Sequence, residues 1–176
     1  MMKPRVVPIV ITAAITASAL FGGWAIYNQV AVASPLHKAV QAADGVVSAS
    51  KPVLSRDTVE VDVELEAGSD LKAVYDQITN TNAGALGSRK LELNVASHSN
   101  ELLDGIWSNS LFAIAEAMET KAYSNIPPAL ENAAKPYDNV TVTSEMDDSN
   151  VYVTLRQEEA VKYVVLPRAA ATLEVW

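Results

Sequence analysis

The sequence predicts an α+β protein: an N-terminal transmembrane helix, a two-layer α/β sandwich of order αββαβ, and a helical segment leading into an antiparallel three-stranded meander. Three observations carry that reading. Residues Val6 to Tyr27 hold no charge, and no charged side chain occurs between Arg5 and Lys38. Thr58 to Ile78 switches from period two to a helical period. Residues 139–166 hold three short alternating runs separated by polar turns.

The apolar run comes first. As a helix rising ~1.5 Å per residue it spans about 33 Å, enough for a hydrocarbon core of roughly 30 Å. Lys3 and Arg5 precede it and place residues 1–5 in the cytoplasm, with everything after residue 27 extracytoplasmic. Trp24 and Tyr27 fall at the far end, where amphipathic rings favour the membrane interface. A cleaved signal is the alternative. Ala31-Val32-Ala33 before Ser34 fits a small-residue cleavage site near Ala33, although the apolar run exceeds the usual 7–15 residues of a signal core. That alternative makes a secreted protein. Both readings export the remainder.

Residues 28–34 read as a linker, and Ser34-Pro35 as the cap and first position of a short helix carrying Leu36, Ala39, Val40 and Ala43, with continuation from the membrane helix and a break at Pro35 as the alternative. Asp44-Gly45 ends it. Val46 to Ser50 is a short strand that Lys51-Pro52 interrupts. Then Val59, Val61, Val63 and Leu65 alternate with Glu60, Asp62, Glu64 and Glu66, the pattern of a strand with one buried and one wet face. Ser69 reads as the N-cap of a helix with Leu71, Val74, Tyr75 and Ile78 inward. Thr79 to Ser88, rich in Asn, Gly and Thr, reads as a helix tail and loop. Lys90 to Ala96 alternates again, with Leu91, Leu93 and Val95 inward. The unit 35–97 is therefore an αββαβ sandwich whose open face carries Glu60, Asp62, Glu64, Glu92 and Asn94.

The run PLHKAVQAADGVVSAS, then TVEVDVELEAGSDLKAVYDQI, then KLELNVAS resembles the ring-building-motif domains of bacterial single-pass membrane proteins. BON domains and the envelope-associated alkaline-shock family have similar small α/β patterns. The resemblance implies a docking or self-associating extracytoplasmic domain and transfers no catalytic residue.

Residues 98–168 differ in character. Ser97 or Ser99 is expected to cap a long helix with a stripe of Leu103, Ile106, Trp107, Ser110, Ile114 and Met118. Leu102, Leu111, Phe112 and Ala115 widen the stripe, which predicts burial on more than one side. Pro127-Pro128 opens a shorter helix to Ala134. Strands at 139–144, 150–156 and 160–166 follow, with Val140, Val142, Val151, Val153, Leu155, Val161, Tyr163 and Val165 marked as inward. Residues 169–176 form a tail in which Leu173 and Val175 either add an edge strand or fray.

Composition narrows the function. The chain of 176 residues has 13 Lys and Arg against 21 Asp and Glu, and every acid follows the apolar run. Such a surface repels nucleic acid. With no cysteine there is no thiolate ligand, nucleophile or disulfide. His37 and His98 stand in no metal spacing, and Ser97-His98-Ser99 lacks a nucleophile elbow. Asp147-Asp148-Ser149-Asn150 has the oxygens of a hairpin turn without the span of a Ca²⁺ loop. No catalytic, cofactor or metal residue is assigned. Glu60, Asp62, Glu64 and Glu92 are the candidate interaction surface, on a face that period-two patterning would make acidic for solubility alone. The expected function is a non-catalytic membrane-anchored assembly or protein-interaction module of the bacterial envelope. A sensor or small-ligand domain, with a pocket between the long helix and the meander, is the alternative. An enzyme comes last.

Overall fold

The computed structural model describes residues 6–168, excepting the side chains at 6–9, 24–26 and 28–29. The expected cytoplasmic segment 1–5 and tail 169–176 lie outside the described residues, as does the side chain of Trp24. Helix α1 (Val6–Tyr27) is uncharged throughout, and its side chains from Val10 to Gly23 are exposed. Among the described residues, no helix is long and apolar enough to cross a membrane.

The expected linker at 28–34 is helical. A π-helical segment (Asn28–Ala33) leads directly into α2 (Ser34–Gln41), and Ala33 keeps helical angles of φ −63 and ψ −45. Pro35 therefore does not open a separate helix. Its ring would strike the carbonyl four residues earlier in a regular α-helix, and the wider π turn before it relieves that clash. The segment is also part of the core. Val32 and Ala33 are 4% and 3% exposed, and the π segment packs against the later elements β2 (Val53–Leu54) and α3 (Leu71–Leu86).

The first sheet is mixed. Strands β1 (Val46–Ala49) and β2 both run antiparallel to β3 (Thr58–Leu65), on the same side of it. A bulge between Val46 and Ser48 bends β1, and Lys51-Pro52 separates it from β2. Strand β4 (Lys90–Ala96) lies parallel to β3 on the other side, reached through α3. Leu36 and Val40 of α2, with Leu71, Val74, Tyr75 and Ile78 of α3, bury the Val59, Val61, Val63 and Leu65 face. The order is αβββαβ: the predicted αββαβ gains the two-residue β2, which pairs with β3 where only a connection was expected. Two further differences are local. Asp70, not Ser69, caps α3 by accepting from the Ala73 N–H at 2.9 Å. Ser69 instead donates to the Gly45 carbonyl at 3.0 Å. And α3 continues through the expected loop to Leu86, because Thr81 and Asn82 bond back to the carbonyls of Gln77 and Ile78 at 2.7 and 2.8 Å. Their polar groups are satisfied inside the helix, so they do not end it.

The second unit has α4 (Glu101–Glu119), α5 (Ile126–Ala134) and the strands β5 (Thr141–Met146), β6 (Asn150–Gln157) and β7 (Ala160–Pro167). Asn100 caps α4, accepting from the Leu103 N–H at 2.9 Å, in place of the expected Ser97 or Ser99. The strands form the predicted antiparallel meander in order β5-β6-β7. Its burial is different from the expectation. Val151, Val153 and Leu155 face α4 and α5, whereas Val161, Tyr163 and Val165 face the first core together with Tyr152. The two sets marked as inward thus lie on opposite faces, and β6 and β7 are covered on both, whereas Thr141, Thr143 and Glu145 of β5 are exposed. Of the widening residues of α4, Leu102 packs against the second core, whereas Leu111, Phe112 and Ala115 face solvent, with Leu111 46% and Phe112 86% exposed.

Gly45 fixes the approach of α2 to α3. Its φ is +81°, and an added Cβ would lie 2.3 Å from the Ser69 hydroxyl oxygen. Backbone of that kind favours glycine. Gly45→Ala is expected to destabilise the protein by about 1–3 kcal/mol in urea unfolding, and a midpoint equal to the parent's would show that the contact relaxes freely.

Candidate interaction surface

The acidic face is assembled by the parallel pairing of β3 and β4. Register sets Thr58 against Lys90, Glu60 against Glu92, Asp62 against Asn94 and Glu64 against Ala96. All four sequence-selected residues, Glu60, Asp62, Glu64 and Glu92, thus stand on one face, and no described element covers it. Like charges directly across a strand pair are destabilising, so Glu60 opposite Glu92 needs solvent or a compensating donor. Both are exposed to solvent, and Asn94 supplies a donor to the row along β3: its Nδ2 bonds Glu60 Oε1 at 2.8 Å and Asp62 Oδ1 at 3.1 Å. Glu64 is held from two sides. Ser48 Oγ donates to its Oε2 at 3.0 Å, and His98 Nε2 lies 3.5 Å from its Oε1. The residue that sequence reasoning passed over is His98. It stands just past the end of β4, where an isolated bridge to Val161 fixes it beside Glu64. His37, by contrast, has Nδ1 3.0 Å from the Ser50 carbonyl and serves the fold.

On the rim of this face, Val47 and Val53 are each 60% exposed. The surface is therefore acidic at its centre with an apolar margin along β1 and β2. Among the described residues, no group of three or more His, Asp or Glu side chains could hold a metal ion.

A second feature lies on the other side of β4. A cleft of about 420 Å³ opens between α3, the start of β4 and the β5–β6 turn, lined by Tyr75, Arg89, Glu92, Asp147, Asn150 and Arg168, among others. It is not the pocket expected between the long helix and the meander, where Trp107 packs half-buried against the second core. The turn beside the cleft is organised by Asp147. Its Oδ1 accepts from the N–H groups of Ser149 and Asn150 at 2.6 and 2.7 Å, and its Oδ2 from the Tyr152 hydroxyl at 2.6 Å. Asn150 Nδ2 donates to the same hydroxyl at 3.2 Å, and Arg168 Nη1 donates to the Asp147 carbonyl. The Tyr152 ring meets Tyr75 edge-on, with centroids 5.3 Å apart. The turn chemistry was readable from the residue types; the tyrosine link was not.

Burial alone would raise the Asp147 pKa. The bonds from Tyr152, Ser149 and Asn150 and the charge of Lys72 outweigh it, holding the carboxyl below its ordinary 3.8. For Tyr152, burial and then the Asp147 hydrogen bond push the phenol far upward. Both directions favour an ionised carboxylate facing a neutral phenol. Comparison with protein-family models, with curated proteins and with solved structures finds no match.

A depressed folded-state pKa adds stability that is present above the unfolded-state value and disappears as pH falls through the folded one. Asp147→Asn is therefore expected to be about 1–3 kcal/mol less stable than the parent at pH 7, with the gap shrinking as pH falls from 4 to 2. Urea midpoints across that range would check it. A gap independent of pH would remove the carboxylate's charge from the account.

Proposed function

We propose that the chain is a non-catalytic, membrane-anchored extracytoplasmic module of the bacterial envelope that engages a protein partner, or another copy of itself, through the acidic face of its first sheet. The observation that carries this reading is the uneven covering of the two sheets. Strands β6 and β7 are covered on both faces, while the first sheet leaves Glu60, Asp62, Glu64, Glu92 and Asn94 open. A partner with Lys or Arg opposite them would be favoured by charge and steered toward them. The αββαβ order, with β2 added, supports the ring-building-motif-like reading, in which such a domain docks within a membrane assembly.

Anchoring is supported by the uncharged run of α1 behind Lys3 and Arg5. The continuity of α1 with α2 favours retention of that run over cleavage near Ala33. Removing residues 1–33 would take the buried Val32 and Ala33 out of the core and leave part of the α3 and β2 surfaces uncovered. A small-ligand or sensor role is the second reading, and the cleft beside Asp147 is what favours it.

Expressed in a bacterial cell, the full chain is expected to stay in the membrane after alkaline extraction, with its N-terminal residues retained. In-cell cross-links made from a photoreactive residue at Asn94 are expected to vanish when Glu60, Asp62 and Glu64 are changed to Lys. Release of a protein beginning at Ser34 would contradict the anchor. Adducts indifferent to charge reversal would contradict the surface.

A further inference from the structure

Four strand edges bound the two sheets, and three are guarded. The edges of β4 and β7 lie side by side. They are linked by the Val161 N–H to the His98 carbonyl at 3.0 Å, and by Ser97 Oγ between the N–H and C=O of Tyr163 at 3.0 and 3.4 Å. Pro167 further removes a donor from β7. The outer edge formed by β1 and β2 is broken by the bulge and by Lys51-Pro52. Those are the usual devices against edge-to-edge pairing. Strand β5 has none of them. Its six residues, TVTSEM, contain no Pro, Lys or Arg and pair with β6 without a register shift.

The outward groups of β5 can be assigned. Asn150 turns its carbonyl to the Asp147 N–H at 3.0 Å, toward β5. Alternation along the antiparallel ladder then points Thr141, Thr143 and Glu145 at β6, and Val142, Ser144 and Met146 away from it. Helix α5 packs on the face of β5 that carries Val142. Among the described residues, nothing hydrogen-bonds the outward groups.

We propose that the β5 edge is a self-association site, at which a second copy of the chain adds its own β5 antiparallel and joins the two meanders into one six-stranded sheet. This rests on the reading of the chain as an assembly module and names one of its contacts. The strand is self-complementary about Thr143. A two-fold axis there sets Thr143 against the partner's Thr143, Val142 against the partner's Ser144, and Glu145 against the partner's Thr141. No like charges then face each other. Thr141 neighbours Arg156 across β6, so Glu145 comes into one row with the partner's Arg156. Among the described residues Arg156 Nε has no hydrogen-bond partner, although the guanidinium stands beside Tyr163, and charge complementarity between Glu145 and the partner's Arg156 favours this dyad over an unrelated strand.

The chain has no cysteine, so a single one reports cleanly. Residues opposed in a non-hydrogen-bonded antiparallel pair have Cα atoms about 4.5 Å apart, within disulfide reach of roughly 4.4–6.8 Å. Thr143→Cys in the full chain, in detergent, is expected to form a disulfide-linked dimer under mild oxidation, while Asn94→Cys on the acidic face does not. Ser144→Pro removes only an outward N–H and is expected to weaken dimerisation in sedimentation by at least about tenfold. Should that variant fail to fold, the Thr143→Cys result decides alone. A chain that stays monomeric, with Thr143→Cys unlinked, overturns the proposal; a foreign strand or residues 169–176 on this edge would give that result. Linking through Asn94→Cys and not Thr143→Cys overturns it too, yet leaves the acidic-face reading standing.

Discussion

The structure depends on covering the central strand of a three-stranded meander on both faces. Strand β6 shows how. Val151, Val153 and Leu155 enter the core beneath α4 and α5, while Tyr152 enters the core shared with α3 and the first sheet. Each such side chain contributes about 1.5–3 kcal/mol on full burial, and together they tie the two halves into one body. A tyrosine in that position brings a hydroxyl that must find partners. Asp147 and Asn150 supply them, and the tight turn that presents Asp147 is set by its own carboxylate. The polar knot and the apolar joint are therefore one construction.

From this follows where the free surface lies. With α2 and α3 on one side of the first sheet, and α4 and α5 committed to the meander, no described element covers the outer face of β3 and β4. Chemistry and position agree there: acids alternate outward, and Asn94 relieves the crowding between Glu60 and Asp62. The same economy leaves the β5 edge and the Phe112 side of α4 uncovered.

Much of this was legible in the chain. Faultless alternation over Val59 to Leu65 and over Leu91 to Val95 announced the strands and put Glu60 and Glu92 on one face, while the register that sets them opposite each other is seen only in the structure. Other features were hidden for physical reasons. Alternation reports that a strand has two faces but not which is covered, so Val153 and Tyr163 looked like members of a single inward set. Thr81 and Asn82 have the composition of a loop, yet their side chains bond within the helix. Pro35 reads as a helix start, and only the preceding π turn makes continuity possible. His98 beside Glu64 depends on a contact between distant strands. The cleft near Asp147 arises only when the two halves meet.

Helical continuity from α1 into α2 ends in the same core, so a membrane anchor would be joined to the domain without a free hinge. The central claim is that β6 unites both cores. Urea unfolding of the full chain with Val61→Ala in the first core and Leu155→Ala in the second, followed by both far-ultraviolet circular dichroism and tryptophan fluorescence, tests it most directly. Each substitution should lower one common midpoint seen by both probes, as a single cooperative unit requires. Two separable transitions, each moved by only one of the substitutions, would contradict it.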